Sequence, residues 1–289
     1  MHEISSDTLS VKISDAGAEL QSIFLKEAGI EYMWNADPAY WSKKSPVLFP
    51  IVGGLKNNSY TYLGKTYHLP RHGFAREKIF TPKNHTANSI RFDLASSEET
   101  LKLYPFHFLF SIIYTVTENR LSVQYLVHNT DETTMYFSVG AHPAFAIPLV
   151  KGNSYTDYYL AFNKQEDLRR WPLSAEGLIE KTPVTLSQST GPLPLTKELF
   201  YDDALVFKQL QSDTISIKNH QNEHGLSVSF PGFPYMGIWS AKNAGFVCIE
   251  PWCGIADSVD TTGELILKEG INTLLPGEIF DRSWQITVY

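Results

Sequence analysis

Hydrophobic and polar residues alternate along much of this chain, and the period is two. Leu9, Val11 and Ile13 are separated by polar residues, as are Ile90, Phe92 and Leu94. Successive side chains of an extended strand point to opposite faces, so such runs predict strands with one face in a core. The clearest pair sets Phe110, Ile112, Tyr114 and Val116 against Leu121, Val123, Tyr125 and Val127 across Glu118-Asn119-Arg120, which reads as a hairpin. Further strands are expected over Met135 to Val139, Leu205 to Leu210, Ile215 to Ile217, Leu226 to Phe230, Tyr235 to Trp239, Phe246 to Glu250 and Trp284 to Val288. No i, i+3, i+4, i+7 pattern persists through a long segment, so helices should be few and short. Many strands parted by Gly, Pro, Asn and Asp turns predict an all-β sandwich or barrel. With no repeat or flexible linker, the simplest division is one domain over residues 1–289, carrying a long Pro-, Ser- and Thr-rich excursion from Leu173 to Thr196.

Composition narrows the class. The 289 residues are 43% hydrophobic and 13% aromatic, enough for one large core, and the 19% charged fraction is too low for a disordered chain. A net charge of −7, without basic clusters interleaved with aromatics, argues against nucleic acid as a partner. No apolar stretch approaches the ~18 residues that span a bilayer, so no membrane association is expected. The N-terminal residues lack a basic flank and an apolar run, unlike a signal peptide. Cys248 and Cys253 are separated by four intervening residues rather than the two of a redox or zinc pair, so they read as reduced thiols of a cytoplasmic protein.

Within the run Phe246-Val-Cys-Ile-Glu-Pro-Trp252 a single carboxylate, Glu250, interrupts an apolar strand. Alternation sends Val247 and Ile249 one way and Phe246, Cys248 and Glu250 the other. Pro251, lacking an N–H, is expected to halt the ladder there and open the strand end onto a cleft. The bland alternative is an edge-strand glutamate facing water. His142 has a similar setting, at the end of Tyr136-Phe-Ser-Val-Gly-Ala-His142 and just before a proline, with a buried structural histidine as the competing account. Arg71-His-Gly-Phe-Ala-Arg76 places His72 between two arginines, which suits an oxygen-rich ligand or else a solvated basic loop. Asp202 and Asp203 precede a strand, where only one can face a pocket and where a turn-capping role is usual. Trp34, in the aromatic segment from Tyr32 to Trp41, and Trp252 are candidate stacking faces for a sugar, although aromatics also fill cores.

Rival motifs fail. His220-Gln-Asn-Glu-His224 lacks the His-Glu-x-x-His order and sits in an apparent hairpin loop, so no metal site is expected from it. There is no Gly-x-Ser-x-Gly elbow, Walker loop or dinucleotide fingerprint.

Five ordered segments then converge: Leu48-Phe-Pro-Ile-Val-Gly-Gly-Leu-Lys56, Arg71 to Arg76, Ser138-Val-Gly-Ala-His-Pro-Ala-Phe145, Asp202 to Phe207, and Cys248-Ile-Glu-Pro-Trp252. Together they resemble the aldose 1-epimerase (galactose mutarotase) family, and its LacX-like branch in particular. That resemblance implies a large antiparallel β-supersandwich and an isomerase that needs no cofactor. It also implies Glu250 as general base, His142 as general acid and His72 as a second histidine at the reacting end of the sugar. Asp203 would bind sugar hydroxyls, with Arg71 or Arg76 lining the pocket. Similar sequences often carry arginine where Gly54 stands, so a polar contact is missing here or comes from Lys56 or Arg71.

Ordinary pKa values, about 4.3 for Glu and 6.5 for His, predict an ionised Glu250 and a His142 near its switching point, raised by the neighbouring carboxylate. A glycoside hydrolase is the less favoured enzyme, since its usual pair is two carboxylates. A non-catalytic sugar-binding module would need Asp203 and the aromatics but not both proton-transfer groups. Substrates in view are galactose, glucose or a hexose 6-phosphate. Arg71, Arg76, Lys43, Lys44 and Lys56 are the candidate phosphate contacts, and a neutral sugar is favoured.

Overall fold

The alternating segments pair as their faces require. In a computed structural model, which describes residues 1–186 and 191–289, Phe108–Thr117 and Arg120–Asn129 form the expected hairpin. Phe110 lies opposite Val127, Ile112 opposite Tyr125, Tyr114 opposite Val123 and Val116 opposite Leu121. The turn is one residue tighter than predicted. Thr117 faces Arg120, leaving Glu118 and Asn119 as a two-residue connection in which Glu118 takes φ +52°. Residues 187–190 of the expected excursion lie outside the described residues.

This hairpin is the centre of a nine-stranded antiparallel sheet. Its order is Leu193–Pro194, Tyr158–Phe162, Thr214–Asn219, Leu226–Ser229, Ile279–Val288, Arg120–Asn129, Phe108–Thr117, Ser89–Ala95 and Thr81–Lys83. A five-stranded sheet sets Val139–Gly140 and Ala144–Ala146 against Phe246–Cys253, then Tyr235–Trp239, then Leu205–Lys208. Phe92, Phe110, Tyr125 and Trp284 of the large sheet share one buried cluster with Phe137, Val247 and Ile249. Fully burying such side chains stabilises the fold by roughly 1.5–3 kcal/mol each. The single α-helix among the described residues is Glu98–Leu103, closed by a capping box in which Thr100 N–H donates to Ser97 Oγ and Ser97 N–H to Thr100 Oγ1. Six residues are too few to leave a periodic signature in the sequence.

The strand carrying Glu250 does not stop at Pro251. It runs Phe246–Cys253, buried throughout, with Pro251 paired to Met236 and Trp252 to Tyr235. The physical reason lies on its other edge. Pro251 C=O accepts from Ala141 N–H at 3.0 Å, and a residue's N–H and C=O point to the same side of a strand, so the missing donor faces that edge. There the partner strand is interrupted: Val139–Gly140 and Ala144–Ala146 pair, and residues 141–143 do not. The one bond that Pro251 can make on that edge is made, so the strand continues.

Candidate active site

That interruption brings the two principal candidates together. Gly140 pairs with Trp252 and Ala144 with Cys248 in one continuous register, which sets His142 opposite Glu250. Their side chains meet, with His142 Nε2 3.4 Å from Glu250 Oε2. The predicted alternation holds around them. Val247 and Ile249 enter the main core, while Phe246 and Cys248 pack in a separate small cluster on the other face, with Trp34, Ala144 and Ala244.

Glu250 and His142 line a cavity of about 750 Å³ with His72, Arg71, Arg76, Asp203, Trp41, Trp239 and Trp252. A larger groove, about 1120 Å³, lies elsewhere, among Ser5, Thr8, Asn119 and Tyr289. It lacks the imidazole–carboxylate contact, so chemistry rather than size selects the site. The His142 ring stacks on Trp41, with centroids 5.0 Å apart, and meets Trp239 edge-on at 5.6 Å. Trp252 is seated between two glycines. A Cβ on Gly237 would collide with its indole, and one on Gly140 would come within 2.7 Å.

Burial inverts the expected protonation. Glu250 is 2% exposed, and loss of hydration, reinforced by the charge of Asp203, holds its carboxyl well above the ordinary value. Desolvation likewise pushes His142 down to about 3, with Arg76 and Arg71 adding to the shift. The expectation of an ionised glutamate raising a half-protonated histidine is therefore corrected. Both shifts favour the uncharged forms, a protonated carboxyl and a neutral imidazole, because neither charge has water to stabilise it. Glu250 Oε2, His142 Nδ1 and the Trp252 indole N–H have no hydrogen-bond partner.

His72 sits on a backbone at φ +68°, with its N–H donating to Gly53 C=O at 2.9 Å. In return Gly53 N–H donates to His72 Nδ1 at 3.1 Å, which leaves the ring proton on Nε2. Desolvation first, then His142, Arg76 and Arg71, hold this ring well below its usual pKa, so it is a neutral donor. Asp203 also occupies left-handed backbone, at φ +100°, with Oδ1 accepting from Ala204 N–H at 2.7 Å. Strain of this kind persists only where the surroundings enforce it.

Trp34 is a correction. It is buried at 6% exposure, outside the cavity lining, tilted against Phe246 at 4.9 Å. Its indole N–H donates to Trp41 C=O at 2.9 Å, so it supports the tryptophan that does reach the cavity. Trp41 lies in the same aromatic segment, and only its packing distinguishes it. Leu173 to Ala175, Gly177 and Lys242 also line the cavity and carry no motif that the sequence would betray, whereas Gly53 and Gly54 belong to the Leu48–Lys56 segment already singled out.

The arginine question at Gly54 has a structural answer. Lys56 Nζ donates to Val259 C=O at 2.8 Å and does not line the cavity. Arg71 lies across Gly177, where any Cβ would collide with its guanidinium, and its Nε is 3.9 Å from a Cβ built on Gly54. Arg71 thus occupies the space beside Gly54. Beneath, Asp257 ties the walls together: its N–H donates to Gly54 C=O, its C=O accepts from Ile179 N–H, and its carboxylate accepts from Lys56 N–H and Lys268 Nζ.

Relatives of known structure share this arrangement of chain. A galactose mutarotase related enzyme from Lactobacillus acidophilus is 39% identical, with a TM-score of 0.95 over 100% of this chain and 97% of its own. A galactose mutarotase-like protein from Lactobacillus casei is 28% identical, with a TM-score of 0.94 over 100% of both chains. The chromosomal Protein LacX of Lactococcus lactis subsp. lactis is 33% identical over 299 residues, spanning 99% of this chain and 98% of LacX. The model of the family described as Aldose 1-epimerase matches residues 1–281. With the antiparallel sheets, the His142–Glu250 contact and these likenesses together, the chain belongs to the aldose 1-epimerase family, in its LacX-like branch.

Proposed function

We propose that this chain, folded as one domain, is a mutarotase that interconverts the α and β anomers of an aldohexose by acid–base ring opening and closure. The observation that carries this reading is the 3.4 Å contact between His142 Nε2 and Glu250 Oε2 at the wall of a sugar-sized cavity. Mutarotation moves one proton from the C1 hydroxyl to the ring oxygen, and a protonated carboxyl beside a neutral imidazole, the forms that burial favours, carries one proton. Sugar hydroxyls donating to the Glu250 carboxylate stabilise its ionised form, and the proton passes to His142. Glu250 then takes the C1 proton while His142 gives its own to the ring oxygen. The C1–O5 bond breaks, leaving the open-chain aldehyde beside a neutral acid and a neutral imidazole. That is the protonation that burial already favours. Rotation about C1–C2 and the reverse transfers close the other anomer.

His72 Nε2–H serves as a fixed donor to a sugar oxygen, Asp203 accepts from ring hydroxyls, and Trp252 offers an apolar face. Of the basic residues considered for a phosphate, Lys43 pairs with Glu77, while Lys44 donates to Gln21 C=O. Lys56 is engaged as described, which leaves Arg71 and Arg76 at the cavity. A neutral sugar is the better reading, and those two arginines are what favour a hexose 6-phosphate as the second.

Polarimetry of freshly dissolved α-galactose and α-glucose tests the proposal. Wild type should accelerate mutarotation, and the Glu250→Gln, His142→Asn double mutant should not. Equal rates for the two proteins would leave a sugar-binding module. Comparing kcat/KM for galactose, glucose and glucose 6-phosphate decides between the substrate classes, and a large preference for the ester would overturn the neutral-sugar reading.

A further inference from the structure

Cys248 has no part in the proton transfers, yet it lies two residues before Glu250 on the same face of the strand. His142, Cys248 and Glu250, all buried, offer ligand atoms that lie within 4.8 Å of one another. A nitrogen, a sulfur and an oxygen so placed form a donor set for a soft or borderline divalent cation, zinc above all. The one separation fixed in detail fits. Tetrahedral zinc with Zn–N and Zn–O of about 2.0–2.2 Å holds those ligands about 3.3–3.5 Å apart, and His142 Nε2 stands 3.4 Å from Glu250 Oε2. The Cys248 sulfur lies within 4.8 Å of both, and a Zn–S bond of about 2.3 Å would draw it toward the same point.

A second observation points to a ligand. Glu250 Oε2 has no hydrogen-bond partner although the residue is 2% exposed and lines the cavity. Charge also favours a dication over other guests. A thiolate, a carboxylate and a neutral imidazole around Zn²⁺ sum to zero, so the buried site would hold no net charge. The fourth position would face the cavity, open to water or a sugar hydroxyl.

We infer that His142, Cys248 and Glu250 form a zinc-binding site that shares two groups with the proton-transfer pair, so that zinc and catalysis exclude each other. On binding, the Cys248 thiol proton and the Glu250 proton pass to solvent, and sulfur, oxygen and His142 nitrogen each donate a lone pair to the metal. Nothing is oxidised or reduced. The metal site stands on its own geometry; the inhibition it produces rests on the mutarotase reading.

Titration with Co²⁺ followed by Zn²⁺ tests this on the full chain. Wild type should take up one equivalent of cobalt with a thiolate-to-metal charge-transfer band, which zinc then bleaches. Cys253→Ala should keep the band. Cys248→Ala should lose it and bind zinc at least 10-fold more weakly, while its mutarotation in EDTA persists. Should Cys248→Ala fail to fold, Cys248→Ser supplies the same comparison. Absence of the band in wild type, or equal zinc affinity in wild type and the Cys248 variant, overturns the site. Mutarotation by wild type should fall in step with zinc occupancy and return with EDTA. A protein that shows the cobalt band but no mutarotation would overturn the activity and leave the metal site standing.

Discussion

Burial holds the Glu250 carboxyl well above its ordinary pKa, and this has measurable consequences for both stability and rate. Its folded pKa lies above the unfolded value, so between the two the native state holds a proton that the unfolded chain has released. Stability therefore falls as pH rises from about 4.5 through the raised value. Glu250→Gln removes that penalty. Thermal melts should show the variant more stable than wild type at pH 7, by on the order of 1–2 kcal/mol, with the gap closing as pH approaches 4.5. The same variant should lose about 10²–10⁴-fold in kcat. His142 has the opposite sign. Its folded pKa of about 3 lies below the unfolded 6.5, so the stability associated with its neutral form is lost as pH falls from 6.5 toward 3. Because the transfers need exactly one proton on the coupled pair, the acid limb of kcat/KM should fall near pH 3 rather than near 6.5. A limb at 6.5 would mean that the bound sugar restores ordinary hydration to the imidazole.

These inversions could not be read from the sequence. Residue types locate Glu250 and His142, but the shift depends on Trp41, Trp239 and Trp252 closing around them, and those contacts join distant segments. Trp34 and Trp41 differ in the same way, since both occur in one aromatic run and only packing decides which reaches the cavity.

At the level of the strand, alternation was informative because it is local. It assigned Val247 and Ile249 to the core, separated them from Cys248 and Glu250, and matched every apolar pair of the Phe108–Thr117 hairpin. Pro251 was misread because a proline's effect on a strand depends on what lies across from its missing amide, and that neighbour is about 110 residues away in the chain. The close seat of Trp252 gives an element-scale prediction. Gly237→Ala inserts a methyl group where the indole lies, so urea denaturation should show a loss of about 1–3 kcal/mol. A neutral result would mean that Trp252 can turn aside without cost.

Across the whole molecule, the loops that wall the cavity are tied together by Asp257. Lys268 and Asp257 are each 3% exposed and pair at 2.6 Å. Lys268→Met leaves the carboxylate buried without its cation, and chemical denaturation should register a loss of about 3–5 kcal/mol. Adding Asp257→Leu to the first change should recover part of that loss, since no unpaired charge remains. Recovery of stability without recovery of kcat/KM would assign Asp257 the further task of holding Gly54 and Ile179 in place. The sequence offered no sign of this, as Asp257 and Lys268 carry no motif and their bond becomes apparent only when the chain is folded.

The proline in the Phe246–Cys253 strand has one more consequence. Two β-strands lying side by side tend to zip together wherever donors and acceptors match, and Pro251 meets its neighbour with an acceptor alone, the carbonyl that takes the Ala141 N–H. Pro251 offers no hydrogen to complete that seam. Pairing there is held from one side alone, so the stretch between Gly140 and Ala144 departs from a regular ladder while His142 and Glu250 still project into the same cavity.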